Sequence, residues 1–167
     1  ASARGHSSEG EIIEQSLQSQ GIKTVKAVFR GECSLDQIER LALEFKSARL
    51  DAILVLGGGK CVDAGKCVAF RLGLPIIVAP TLASNDAPCS AVSVLYTPEG
   101  VSSVVEFFPH NPVMVIVDTL VVAAASERYL GAGMGDAMAT KYEAKVCIDN
   151  PLATNVLGAR PTLAACA

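Results

Sequence analysis

The chain has 167 residues, half of them hydrophobic and 19% charged, which suits one folded domain and excludes a disordered or fibrous polypeptide. Fourteen Lys and Arg against seventeen Asp and Glu give a net charge of −3, so the basic surface of a non-specific nucleic-acid binder is missing. Mean hydropathy is +0.39, yet no uncharged apolar run reaches the ~18 residues a membrane span needs, and Asp118 interrupts the longest candidate, 112–125.

The opening residues ASARGHSSEGE carry no apolar segment after Arg4 and do not read as a secretion signal. The six cysteines, at 33, 61, 67, 89, 147 and 166, form no C-x-x-C and are expected as free thiols in a reducing cytosol, each a small buried apolar side chain. Ser8-x-x-Glu11 has capping-box spacing and, with Ile12, Ile13 and Leu17, predicts a helix over 8–20 ended by Gly21. Val25, Ala27 and Phe29 alternate with polar residues and predict an exposed or edge strand. Ser34-x-x-Gln37 has the same box spacing, and Leu35, Ile38, Leu41 and Phe45 keep helical spacing to about 48.

The central part alternates buried strands with helices. DAILVL (51–56), PIIVA (75–79) and VMVIV (113–117) lack polar alternation, the pattern of strands covered on both faces of a parallel sheet. A helix over 60–72 closes at Gly73, a polar loop fills 80–90, and 92–108 predicts a hairpin turning at Pro98-Glu99-Gly100. Asp118 or Thr119 caps one short helical turn and Ser126 another; GAGMG (131–135) leads into a helix over 135–148. After a break at Gly158 or Pro161, residues 163–167 read as a short apolar helix. The fold class expected is α/β, a mostly parallel sheet with a β-hairpin insertion.

Three segments carry chemistry. LGGGKCVDAGK (56–66) follows a strand and opens a helix, where Gly57, Gly58 and Gly59 permit close backbone approach and the helix N-terminus presents N–H groups to an anion. Lys60 adds a charge, although the spacing is neither a dinucleotide fingerprint nor a P-loop, and a tight turn with a solvated lysine is the other reading. Asp63, one turn in, would repel a phosphate and suits a hydroxyl partner. APTLASNDAPCS (79–90) lies at a strand's carboxyl end, where open α/β sheets bind ligands, and offers Thr81, Ser84, Asn85, Asp86 and Ser90; an ordinary polar loop is the other reading. Asp136, after Gly133-Met134-Gly135, is either an N-cap or a metal ligand, and Glu143 suits a pair with Lys141 or Arg128.

Taken together, LGGGKCVDAGK, PIIVAPTLASNDAPCSAVSVLYTPEG, NPVMVIVDTLVV and GAGMGDAMATKYEA resemble the glycerol dehydrogenase branch of the iron-containing alcohol dehydrogenase and dehydroquinate synthase-like superfamily. The resemblance runs from about Gly31 to Cys147 in uninterrupted order. It implies a Rossmann-like NAD-binding α/β domain over 1–130 with its first strand absent, then the start of a helical metal-binding domain over 131–167. It implies NAD contacts at Gly59, Lys60, Asp63, Thr81, Ser84, Ser90, Val92 and Tyr96, a glycerol contact at Asp86, and a zinc ligand at Asp136. The implied reaction takes glycerol and NAD⁺ to dihydroxyacetone and NADH, with zinc lowering the pKa of the reacting hydroxyl. The implied protein is a cytoplasmic homo-oligomer acting on a small polyol.

The departures concern the metal. The family takes two histidines from a helical region beyond the point matching Ala167, and neither His6 nor His110 matches a ligand position. A catalytic zinc needs about three protein ligands, so the chain reads as the central part of a longer family sequence that does not oxidise glycerol alone. A non-catalytic nucleotide-binding remnant and a glycerol-1-phosphate dehydrogenase-like enzyme are the alternatives; the latter would want a basic cluster that 80–90 lacks.

Overall fold

The computed structural model describes residues 1–155 and 158–162. In chain order the elements are α1 (Ala3–Ser7), α2 (Glu9–Ser19), α3 (Leu35–Lys46), β1 (Ile53–Gly57), α4 (Gly59–Leu72), β2 (Ile76–Pro80), β3 (Val92–Tyr96), β4 (Ser102–Phe107), β5 (Met114–Val115), α5 (Thr119–Ala123) and α6 (Glu127–Asp149).

The unbroken apolar runs do form one parallel sheet, in the order β1-β2-β5. Its register runs from Ile53 opposite Ile76 to Gly57 opposite Pro80, so β1 and β2 end together. β3 and β4 make a separate antiparallel hairpin, with an irregularity between Leu95 and Tyr96. The core lies between the sheet, α3, α4 and the inner face of β3. Val62, Val68, Val78, Ile38 and Leu95 are all sealed from solvent, each contributing roughly 1.5–3 kcal/mol by burial. Gly73 closes α4 in the left-handed conformation, φ 65°, as a glycine C-cap does.

Several expectations are corrected. The helix expected over 8–20 begins at Glu9 and follows the separate turn α1. Ser8 caps nothing: its hydroxyl turns back to the Arg4 carbonyl, 2.8 Å away, and to the Glu9 carboxylate. Ser34 also lacks a side-chain cap bond; its backbone carbonyl accepts from Ile38 N at 3.0 Å, so neither capping box forms. The strand expected at 25–29 is reduced to one parallel bridge, Phe29 with Ser2. Ala1 and Ser2 lie between that segment and β1: the α-amino group donates to Ala27 O at 2.9 Å, Phe29 N to Ala1 O at 2.8 Å, and Ser2 N to Leu56 O at 2.8 Å.

VMVIV is not a doubly covered strand. Only Met114–Val115 pairs, at the sheet's edge, and Met114, Ile116 and Val117 are half exposed. GAGMG is not a lead-in: α6 runs through it unbroken, across position 131. Among the described residues α6 carries an ion pair of Lys145 with Asp149, 2.7 Å, and none that involves Glu143. Cys33, Cys61 and Cys67 are buried, but Cys89 and Cys147 are exposed; all five are free thiols. Cys166 and the helix expected at 163–167 lie outside the described residues. Among the described residues no helix is long and apolar enough to cross a membrane.

Candidate functional site

Because β1 and β2 are parallel and end in register, the turn into α4 and the loop over 81–90 meet at one sheet edge. Thr81 N donates to Gly57 O at 3.1 Å and ties the two segments directly. Of the three glycines, Gly57 alone has a backbone that other residues resist, φ 157°, and a Cβ there would press on Cys61 and Ser2. Gly58 and Gly59 serve proximity. A Cβ on Gly58 would meet Leu82 at 3.2 Å, and one on Gly59 would overlap the Asn85 carboxamide. The loop, rather than empty space, lies against these glycines.

Gly58 is the N-cap of α4 and has no side chain to bond the helix's first N–H groups. The first helical bond there runs from Val62 N to Gly58 O, 3.0 Å. The N–H groups of Gly59, Lys60 and Cys61 therefore face the edge without intrahelical partners and carry the positive end of a fourteen-residue helix. Lys60 is not a free charge beside them: its ammonium lies 2.5 Å from Glu32 Oε1. Glu32 Oε2 is buried with no partner.

Asp63 and Ser90 are both engaged by Lys66, which is 3% exposed. Lys66 Nζ lies 2.9 Å from Asp63 Oδ1, at an angle that makes an ion pair but no hydrogen bond. The ammonium donates to Ala87 O at 2.9 Å, to Ser90 Oγ at 3.2 Å and to the Val92 carbonyl. Asp63 Oδ2 accepts from Val94 N at 3.2 Å, and the Asp63 carbonyl accepts from Ser93 Oγ at 3.1 Å. Tyr96 is further along β3; its N–H donates to Cys33 O at 2.8 Å and its ring packs on the core.

Asp86 and Asp136 come together. Asp86 N donates to Asp136 Oδ2 at 3.1 Å, and both residues are exposed. Gly133 makes this contact possible, because any Cβ there would overlap the Ala83 carbonyl. Asp136 thus lies inside α6 and is no N-cap. His6 and His110 stand elsewhere, and among the described residues no three His, Cys, Asp or Glu cluster as a metal site would need.

The edge accordingly collects Gly59, Thr81, Ser84, Asp86 and Asp136, while Lys60, Asp63, Ser90 and Val92 are held by protein partners. Lys66 and Glu32 are the residues that sequence reasoning missed. For Lys66 a signal existed: Asp63 and Lys66 share, at i,i+3, a helix face otherwise made of Val, Ala and Cys. Nearby, burial pushes the Cys61 thiol up to about 11, so it is no nucleophile.

The model of the family described as iron-containing alcohol dehydrogenase matches residues 4–119. A glycerol dehydrogenase of Escherichia coli O6:H1 is 47% identical over 155 residues, 93% of this chain and 42% of that protein. The crystal structure of glycerol dehydrogenase from Schizosaccharomyces pombe superposes with a TM-score of 0.76 at 38% identity, over 83% of this chain and 35% of that one. The synthase ValA from Streptomyces hygroscopicus, solved with NAD⁺ and Zn²⁺ bound, shares the fold, with a TM-score of 0.68 at 18% identity over 88% of this chain and 42% of that one. The chain spans about two-fifths of the length of such relatives. Its order of elements and these matches place the chain in the iron-containing alcohol dehydrogenase family, with glycerol dehydrogenases among its relatives.

Proposed function

We propose that the chain forms the cofactor-holding part of an NAD-dependent polyol dehydrogenase whose substrate is glycerol or a close analogue. The observation that carries this reading is the uncapped N-terminus of α4 beside the 81–90 loop, at the same edge where the Asp86 backbone N–H meets the Asp136 carboxylate. The N–H groups at Gly59 and Lys60 suit the anionic diphosphate of a dinucleotide. Thr81 and Ser84 add hydroxyl donors on the facing loop, and Ser90, Val92 and Tyr96 continue that wall along β3. Lys60 and Asp63 act from their pairs with Glu32 and Lys66. Asp86 accepts a hydroxyl of the diol and orients it. When bound, the cofactor supplies the hydride acceptor.

The described residues do not make a zinc site. Asp136 is one donor, Asp86 offers its N–H to that donor, and no third ligand joins them. In this reading residues 1–130 hold the nucleotide and 131–167 begin a helical, metal-holding part of a cytoplasmic homo-oligomer.

Calorimetric titration with NAD⁺ tests the cofactor. Gly58→Val pushes Leu82 into the edge and is expected to weaken binding by roughly tenfold or more; unchanged affinity refutes the assignment. The second test is glycerol oxidation with added zinc. Turnover is expected at background, since one carboxylate does not hold zinc against water. Zinc-dependent turnover abolished by Asp136→Ala would show that other residues complete the centre.

A further inference from the structure

We propose that Lys66 is a positioning residue of the cofactor cleft, fixing residues 87–94 against α4 and so setting NAD affinity without touching NAD. The proposal rests on the cofactor reading above and adds to it a residue that the family resemblance does not name.

The geometry carries it. The Lys66 side chain is 2% exposed, beneath the loop rather than in the cleft. Its three N–H donors serve acceptors at Ala87, Ser90 and Val92, all on one segment. Asp63, one turn earlier on the same helix face, takes up the next part of that segment through Val94 N and the Ser93 hydroxyl. Five residues from 87 to 94 are thus bonded to Lys66 and Asp63 of one helix, four through side chains of the pair and Ser93 through the Asp63 carbonyl. A buried ammonium costs several kcal/mol in desolvation unless charge and acceptors surround it. Here they do, and the loop carbonyls that surround it must keep their places. Ser90 and Val92, in the far wall of the cleft, are therefore held by a rigid element instead of by the loop's own conformation. The same contacts fix Asp63: its two carboxylate oxygens face Lys66 and Val94 N.

The experiment pairs NAD⁺ titration with amide hydrogen exchange on Lys66→Met and on Leu41→Ala, a core truncation outside the loop. Lys66→Met is expected to raise exchange at 87–94, Val94 N–H above all, and to weaken NAD⁺ by about tenfold, while β1 and β2 keep their protection. Leu41→Ala is expected to lower overall stability and leave the NAD⁺ dissociation constant unchanged. Should Lys66→Met fail to fold, Ser93→Ala removes one buried tie, with an expected two- to threefold or so loss of NAD⁺ affinity and faster exchange at Val94. Unchanged exchange and affinity in the folded variants overturn the proposal. So does a loss of affinity that Leu41→Ala reproduces, because Lys66 would then act through general stability. If the unaltered chain binds no NAD⁺ but 87–94 still loosens on substitution, the cofactor reading fails and the clamp stands as a structural tether only.

Discussion

Helices α4 and α6 both draw on glycine-rich sequence, and their fates differ completely. Eight of the fourteen residues of α4 are buried, including Asp63 and Lys66. None of the twenty-three residues of α6 is buried. Yet α6 carries Leu130, Met134, Met138, Tyr142 and Val146 at every fourth position, each more than half exposed. That spacing is the stripe of a core-facing helix, on which nothing among the described residues packs. The contrast separates two sources of helical order. α4 is held by tertiary burial strong enough to take an ion pair inside with it. Among the described residues α6 rests on its own backbone bonds, on the close approach of Gly133 to Ala83 and on the bond from Asp86 N to Asp136.

The sharpest way to break this comparison is truncation. Ile38→Ala, in the core beneath α4, is expected to cost about 3 kcal/mol, whereas Met138→Ala should stay within about 0.5 kcal/mol. Urea unfolding measures both, and equal losses would mean that α6 is covered. Glycines sharpen it next. Gly57→Ala forces a strained φ and a Cβ onto Cys61, an expected cost of about 1–3 kcal/mol. Gly135→Ala adds a Cβ into open space inside a helix and should stabilise by up to about 1 kcal/mol. Opposite signs in melting temperature are the result to look for; matching signs would contradict the two environments.

The smallest effect concerns the strap between α4 and the hairpin. Arg71 donates to both oxygens of Glu106, at 3.0 and 2.7 Å, and holds the Glu106 carboxyl below its usual range. A lowered folded value means that the pair stabilises above the ordinary glutamate pKa and fades as pH falls through the lowered one. Unfolding measured between about pH 6 and pH 3 should show under about 1 kcal/mol of stability lost through this pair. Glu106→Gln should remove that component; an unaltered pH profile in the variant would refute the linkage.

Much of α4's surroundings was legible because burial leaves a plain trace. Ile53–Gly57 and Ile76–Pro80 are apolar at almost every position, and only two-sided cover explains that. The same signal failed at 113–117. Apolar residues there read as buried, but cover is a property of neighbours, and Val113 is 65% exposed. GAGMG read as a lead-in to a helix starting at 135, because glycine disfavours helix. Its helical form depends on the approach to Ala83, a contact fifty residues back along the chain. At the candidate site, Gly59, Thr81 and Asp86 were legible from motif and strand order. The partner of Lys60 was not, since Glu32 lies twenty-eight residues away and an isolated lysine in a sequence carries no sign of which carboxylate it will meet.

The register of β1 with β2 also has a meaning in time. The two strands and the helix between them are contiguous in the chain, so Ile53 finds Ile76 by closing a short loop. β5 must find β2 across a longer loop that contains the whole hairpin, and Ser2 must find Leu56 across three helices. Loop closure grows costlier with length, and local pairings form fastest. The β1–α4–β2 unit is therefore expected to assemble first, with the uncapped end of α4 already in place before the 81–90 loop arrives. Ala1 and Ser2 would then be stitched in last, an order that pulse-labelled exchange at Val55 and Ser2 can reverse or uphold.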